Sequence, residues 1–271
     1  MITGCSSGLG RSMALAALRA GDRVLATARD VRGLEGLITA FPETCETAAL
    51  DVTDRDQCAA VLASMERDGV DFLVNNAGGA VLGALEEQTE AEAAEQMELN
   101  YFAPLRLAAA VLPGMRARGA GHLVFVSAAA AVGNYPGFAH YGAAKAALEA
   151  ACESLRAEVL PHGISVTLVQ PGPFRTMFAA KSVRQVSGRI ADYSKTSGAF
   201  AQLLARIDGR QPGDPDKAAA LVVATLRAGH APFRLPLGRY MIRKLRDRSA
   251  VMLQDAVAHE ASAGATEFGG Q

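Results

Sequence analysis

The chain has 271 residues, half of them hydrophobic, and 27 Lys and Arg against 28 Asp and Glu leave a net charge of −1. That length and apolar content suit one substantial core in a single large α/β domain, and the balanced charge supplies no global field to recruit nucleic acid or an anionic membrane. No apolar run is long enough to span a bilayer, and the Met1-Ile2 start carries no basic-plus-apolar leader, so a cytoplasmic protein with neither nucleic-acid nor membrane partners is expected.

Taken in order, the residues predict helices and strands in alternation. A Gly-rich stretch, Thr3-Gly4-Cys5-Ser6-Ser7-Gly8-Leu9-Gly10, opens a helix over 9–20. Its glycines permit a tight turn and close backbone approach, and the helix start offers free N–H groups and a positive dipole end, which together suit a pyrophosphate. A strand over 23–28 ends in Ala28-Arg29-Asp30 and is followed by a helix over 31–40. A strand over 46–50 leads into Asp51-Val52, a helix over 54–68, and a strand over 70–75 that ends in Asn75-Asn76-Ala77-Gly78. One long helix is predicted over 90–117, carrying Asn100, then a strand over 121–127, a helix over 140–160, and a strand over 164–170 that runs into Pro171-Gly172. Continuously apolar strands separated by amphipathic helices predict a doubly wound parallel sheet covered on both faces, a Rossmann fold.

Beyond Pro171 the pattern loosens into a partly basic stretch over 174–198. Helices over 199–208 and 214–228 follow, then a short strand over 233–237 and a helix from about 239. The domain is expected to occupy residues 1–260, and the small polar tail over 261–271 to be flexible. Cys5, Cys45, Cys58 and Cys152 are scattered without metal-ligand spacing and read as reduced, packed thiols, with no metal site.

The most telling stretch is Tyr141-Gly142-Ala143-Ala144-Lys145. Tyr and Lys four apart on a helix lie on one face, where the ammonium can favour a phenolate.

These ordered motifs resemble the short-chain dehydrogenase/reductase family over roughly residues 1–240. The resemblance implies an NADP(H)-dependent oxidoreductase that interconverts a ketone and a secondary alcohol on a largely apolar substrate. Tyr141 would exchange the proton, Lys145 would assist it and bind the nicotinamide ribose, and Asn100 would hold a water that connects Lys145 to solvent. Gly4, Ser6, Ser7, Gly8, Leu9 and Gly10 would cradle the pyrophosphate. Asp51 and Val52 would flank the adenine, Asn76, Ala77 and Gly78 the adenosine ribose, and Pro171, Gly172 and Thr176 the nicotinamide. Arg29, after Ala28 in place of the acid of NAD-preferring relatives, would pair with a 2′-phosphate, while Asp30 keeps NAD open. The region over 174–210 would form a substrate lid, with Phe174, Met177, Phe178, Ile190, Tyr193 and Phe200 as lining candidates beside Val132, Tyr135 and Phe138. The outer faces of the helices over 90–117 and 140–160 would build a homodimer or homotetramer.

Two departures from the family pattern stand out. Only Met1 and Ile2 precede Thr3, where the family has a full central strand, so several backbone pairings are expected to be missing; a start site assigned late, or a trimmed chain, is the expected reason. The position of the family's catalytic Ser, thirteen residues before Tyr141, is Ala128. The adjacent Ser127 is expected to point to the other side of the sheet. Three readings stay open: an engineered Ser-to-Ala change, an enzyme using Ser127 or another donor, or a cofactor-binding protein with impaired or non-redox activity.

Overall fold

The computed structural model describes residues 1–65 and 69–268. It forms an α/β domain around one parallel sheet. Strands β1 (Val24–Ala28) and β2 (Cys45–Ala49) pair on one side, and β3 (Phe72–Asn75), β5 (Gly121–Val126), β6 (Ile164–Pro171) and β8 (Arg234–Leu237) on the other. The halves meet through the first residues of the chain. Ile2 donates its N–H to Leu25 O and accepts from Thr27 N, while Thr3 N donates to Val74 O and Val74 N to Met1 O. The N-terminal ammonium itself donates to Phe72 O at 2.8 Å. A short bridge thus occupies the place of the central strand and pairs with both neighbours.

The strands read as apolar runs because both faces are covered. Residues 122–126 of β5 are all buried, as parallel strands sandwiched by helices require. On one face α1 (Gly8–Arg19) and α9 (Pro215–Arg227) pack through Met13, Ala14, Ala17, Val222 and Leu226. On the other, α5 (Ala103–Arg118) and α7 (Ala139–Val159) bury Leu107, Met115, Leu148 and Cys152 against Leu123, Phe125 and Leu168. Helix α3 (Arg55–Ser64) contributes Cys58 and Val61 to the same layer. All four cysteines are free and buried.

Several elements differ from expectation. The predicted helix over 31–40 is a 3-10 turn, Val31–Leu34, followed by α2 (Glu35–Ala40). Asp30 starts that turn by accepting from Arg32 N. The helix predicted over 54–68 ends at Ser64, and residues 66–68 lie outside the described residues. The long helix predicted over 90–117 is α4 (Glu90–Met97), a π-helical segment Glu98–Phe102, and α5. Periodicity alone does not reveal one extra residue in a turn, and such π segments recur at functional sites.

Two short strands were not visible in the sequence: β4 (Ala80–Leu82) pairs in parallel with β7 (Val183–Gln185). Each has three residues, too few for a pattern to declare itself. Between them they fasten the 174–198 stretch to the body, and Arg184 reinforces the join through Glu92 and Glu95 of α4 at 2.7 and 2.6 Å. Past a four-residue helix α6 (Ala129–Val132) and α8 (Ser197–Ile207), the chain closes with α10 (Arg239–Gly264). That helix runs four residues into the segment expected to be a flexible tail; Ala261 and Ala263 there are strong helix formers. Among the described residues no helix is long and apolar enough to cross a membrane.

Candidate active site

The site lies at the carboxyl ends of the strands, where the sheet order reverses across the N-terminal bridge. Gly4 and Gly8 take left-handed backbone angles, φ 72° and 59°. Gly10 is required by space: a Cβ there would sit 2.3 Å from both Asn76 Nδ2 and Gly4 O. Ser7 stands at the N-cap of α1 with its side chain making no capping bond, and α1 starts at Gly8, so N–H groups of its first turn face the cleft. Ser6 and Leu9 belong to the same turn and first helical turn.

The Asn76 segment braces this turn. Asn76 Nδ2 donates to Thr3 O and Gly4 O at 2.9 and 3.1 Å, and Thr3 Oγ1 accepts from the N–H groups of Asn76 and Ala77 at 3.0 Å. The side-chain donor of Asn76, in the segment expected to flank the adenosine ribose, holds the Gly-rich loop. Thr3 lies in the Gly-rich motif ahead of the residues expected to cradle the pyrophosphate, and the loop hangs on its hydroxyl.

At the end of β1, Arg29 is exposed and has no hydrogen-bond or ion-pair partner among the described residues. Asp30 is different. Arg32 grips its carboxylate through Nε and Nη2, at 3.0 and 2.6 Å, and these hydrogen bonds hold its pKa below the usual carboxylate range. Val52 is buried after β2, and Asp51 turns Oδ1 to Thr53 N and Oγ1 at 3.0 and 2.7 Å. Arg29 follows β1 and Asp51 lies just past β2, at the carboxyl ends of two adjacent parallel strands.

Across the cleft, Pro171 ends β6, and Gly172 N donates to Leu237 O at 3.0 Å. Thr176 lies over Gly8, its Cβ 3.2 Å from the point a Gly8 Cβ would occupy. The two walls of the cleft therefore meet at Gly8 and Thr176. The Gly-rich turn, the exposed helix start and the free guanidinium of Arg29 fit a dinucleotide phosphate, judged by their donors and by the space that glycine alone leaves.

Helix α7 supplies Tyr141 and Lys145, both buried. Lys145 Nζ donates to Val126 O at 2.9 Å, and burial lowers its pKa to about 8 against the opposing charges of Cys152 and Glu149. Burial also pushes the Tyr141 phenol well above its ordinary value. The expectation that Lys145 favours a phenolate is therefore not met in the chain by itself, because desolvation dominates and the ammonium is turned to a backbone carbonyl.

Asn100 sits in the π-helical segment, fully buried, with Nδ2 donating to Gly79 O and Gln96 O at 2.9 and 3.1 Å. Its Oδ1 has no partner among the described residues. This oxygen and Lys145 Nζ lie 3.0 and 3.5 Å from the point where a Gly78 Cβ would stand, so Gly78 leaves room for both.

Ser127 and Ala128 part company. Ser127 Oγ donates to Glu149 Oε1 at 2.5 Å, and Gln170 Nε2 donates to both oxygens of that carboxylate at 2.9 Å. Ala128 packs instead on the cluster of Tyr141, Phe138, Ala130 and Leu82. This is the opposition expected from the strand alternation. Glu149 and Gln170 were missed; the sequence offers only Glu149's place one turn beyond Lys145.

Above Tyr141 stands an aromatic wall. Phe138 meets Tyr141 edge-on at 5.1 Å, Phe200 meets Phe138 at 5.2 Å and stacks on Tyr135 at 5.0 Å, and Phe178 lies 6.0 Å from Tyr141. Tyr135 Oη pairs with Tyr240 Oη at 2.6 Å, and Lys244 Nζ rests 3.7 Å over the Tyr135 ring. Phe174 was expected in the lid; it packs with the core of α1 and α9, filling the space left by Gly213. Ile190 and Met177 are 37% and 44% exposed.

Comparison with known proteins agrees with this arrangement. The family model described as short chain dehydrogenase matches residues 1–187. Oxidoreductase BOA17 of Botryotinia fuckeliana is 38% identical over 240 residues, covering 88% of this chain and 87% of its own. Human 17-beta-hydroxysteroid dehydrogenase type 1 is 34% identical over 245 residues, covering 84% and 74%. A crystal structure of a short-chain dehydrogenase from Streptomyces avermitilis is 39% identical and superimposes with a TM-score of 0.91 over 98% of both chains. With its parallel sheet, its Gly-rich turn and Tyr141 and Lys145 at the cleft floor, the chain belongs to the short-chain dehydrogenase family of oxidoreductases.

Proposed function

We propose that this oxidoreductase uses NADP(H) to interconvert a ketone and a secondary alcohol on a largely apolar substrate, with Tyr141 exchanging the proton. The observation that carries the reading is the joint placement of Tyr141 and Lys145, buried side by side on α7 at the foot of an aromatic wall. Bound nicotinamide supplies the hydride chemistry. The raised pKa of Tyr141 keeps its hydroxyl protonated, which suits a donor to a carbonyl oxygen in the reductive direction. Lys145 and the unpartnered Oδ1 of Asn100 offer a route by which that proton is replaced. The aromatic wall excludes water and presents apolar surface to the substrate. The human relative's name, a hydroxysteroid dehydrogenase, agrees with an apolar substrate.

Cofactor choice rests on Arg29 and Asp30. The Asp30 carboxylate is occupied by Arg32, while the Arg29 guanidinium is free among the described residues to take a 2′-phosphate. Titration with NADPH and NADH is expected to show tighter NADPH binding, and Arg29→Asp to remove that preference; equal affinities in the native chain overturn the assignment. Tyr141→Phe is expected to cost at least about a hundred-fold in ketone reduction while leaving NADPH affinity nearly unchanged.

Ala128 favours a second reading, a cofactor-binding protein with impaired or non-redox activity. Ser127 cannot stand in for the missing hydroxyl while it is held by Glu149. A panel of apolar ketones and alcohols, followed at the absorbance of the reduced nicotinamide, separates the two: no turnover on any member supports the second. Cytoplasmic location and homo-oligomer formation through the outer faces of α5 and α7 belong to the same proposal.

A further inference from the structure

Helix α10 carries a surface that its own domain does not use. Its base is packed: Met241 is buried, Tyr240 meets Tyr135, and Lys244 covers the Tyr135 ring. From Arg246 to Gly264 every residue is exposed, an arm of about 28 Å at the helical rise. It nevertheless carries Val251, Met252, Leu253 and Val257 at 48%, 57%, 66% and 62% exposure. Of these, Leu253 and Val257 share one face, and a helix normally gains most of its stability by burying such a face.

The stripe has a defined geometry. Arg246, Ala250, Leu253, Val257, Glu260 and Gly264 follow one another at alternating steps of four and three, the spacing of a helix-pairing seam. On the helical wheel this line lies opposite Tyr240 and Lys244, which face the body. Leu253 and Val257 therefore point away from their own domain and lie uncovered among the described residues.

Charge along the arm selects that molecule. Residues 239–248 hold Arg239, Arg243, Lys244, Arg246 and Arg248 against Asp247, while residues 249–268 hold Asp255, Glu260 and Glu267 with no Lys or Arg. Antiparallel pairing of two copies sets the basic half of each over the acidic half of the other. With a two-fold axis at Leu253, Arg246 faces Glu260 of the partner subunit, and Ala250, beside Val257 of the partner subunit, lets the helices approach closely. An isologous contact of this kind is self-complementary and closed.

We infer that α10 pairs antiparallel with α10 of a second copy through the Ala250, Leu253 and Val257 seam, flanked by reciprocal Arg246–Glu260 ion pairs. This interface is separate from the outer faces of α5 and α7. It also couples assembly to the site, since the base of the same helix holds Tyr135 in the aromatic wall.

The test uses the full chain. Its native cysteines are all buried, so Leu253→Cys treated with a short thiol-to-thiol crosslinker reports on the seam alone, and a covalent dimer is expected. In light scattering, Leu253→Asp with Val257→Asp should lower the assembly by one association step at unchanged helicity. Arg246→Glu alone and Glu260→Arg alone should each weaken it at least five-fold, and the two together should restore it. Absence of the crosslinked dimer overturns the proposal, as does failure of the double charge reversal to restore assembly. A chain that stays monomeric and cosediments with vesicles of anionic phospholipid overturns it in favour of a lipid surface.

Discussion

Ser127 and Ala128 are neighbours in the chain and face opposite sides of the sheet. The hydroxyl of Ser127 goes to Glu149 and the methyl of Ala128 to the Tyr141 cluster. A hydroxyl at position 128 would therefore reach the side on which Tyr141 stands. Ala128→Ser is expected to raise ketone reduction at least ten-fold, since one preorganised donor to a developing oxyanion is worth about a hundred-fold or more in rate. Steady-state turnover on the best substrate of the panel checks this, with Ser127→Ala as the control that leaves the substrate side untouched. No gain on restoring the hydroxyl would move the balance to the non-redox reading.

At the scale of elements, the Gly-rich turn, α1 and the Asn76 segment form one braced unit. Gly10→Ala forces a methyl against Asn76 Nδ2 and Gly4 O, so unfolding in urea should show a loss of about 1–3 kcal/mol and NADPH titration a fall of more than ten-fold. Asp214 gives the contrast. It caps α9 by accepting from Asp216 N and Lys217 N, so Asp214→Ala should lose about 1 kcal/mol with cofactor affinity unchanged. Much of this organisation was legible in the residues. Glycines read as a turn because they take left-handed backbone angles at the least cost, and Tyr141 and Lys145 read as one face because four residues are about one helical turn. The π-helical segment around Asn100 and the β4–β7 pair were not legible, since one inserted residue and two three-residue strands leave no periodic trace. Nor could the sequence say that Asn76 braces the loop or that burial governs the Tyr141 phenol, since each depends on neighbours brought in by the fold; the grip of Arg32 on Asp30 is local, two residues apart.

For the whole molecule, the bridge formed by Met1, Ile2 and Thr3 is where the β1–β2 slab joins the four strands beyond; among the described residues a few backbone bonds on either side make that join, so the easiest partial opening follows this line and leaves the β5–β6 ladder intact. On the proposed reading, a dinucleotide held by Arg29 on one slab and by Tyr141 and Lys145 on the other would span that fault and resist its opening. In hydrogen exchange, the amides of Thr27 and Val74 should accordingly be deuterated well before those of Val124 and Val166, and NADPH should slow the first pair by at least ten-fold while barely altering the second. The cofactor would then act as a clasp for the sheet as well as a reagent.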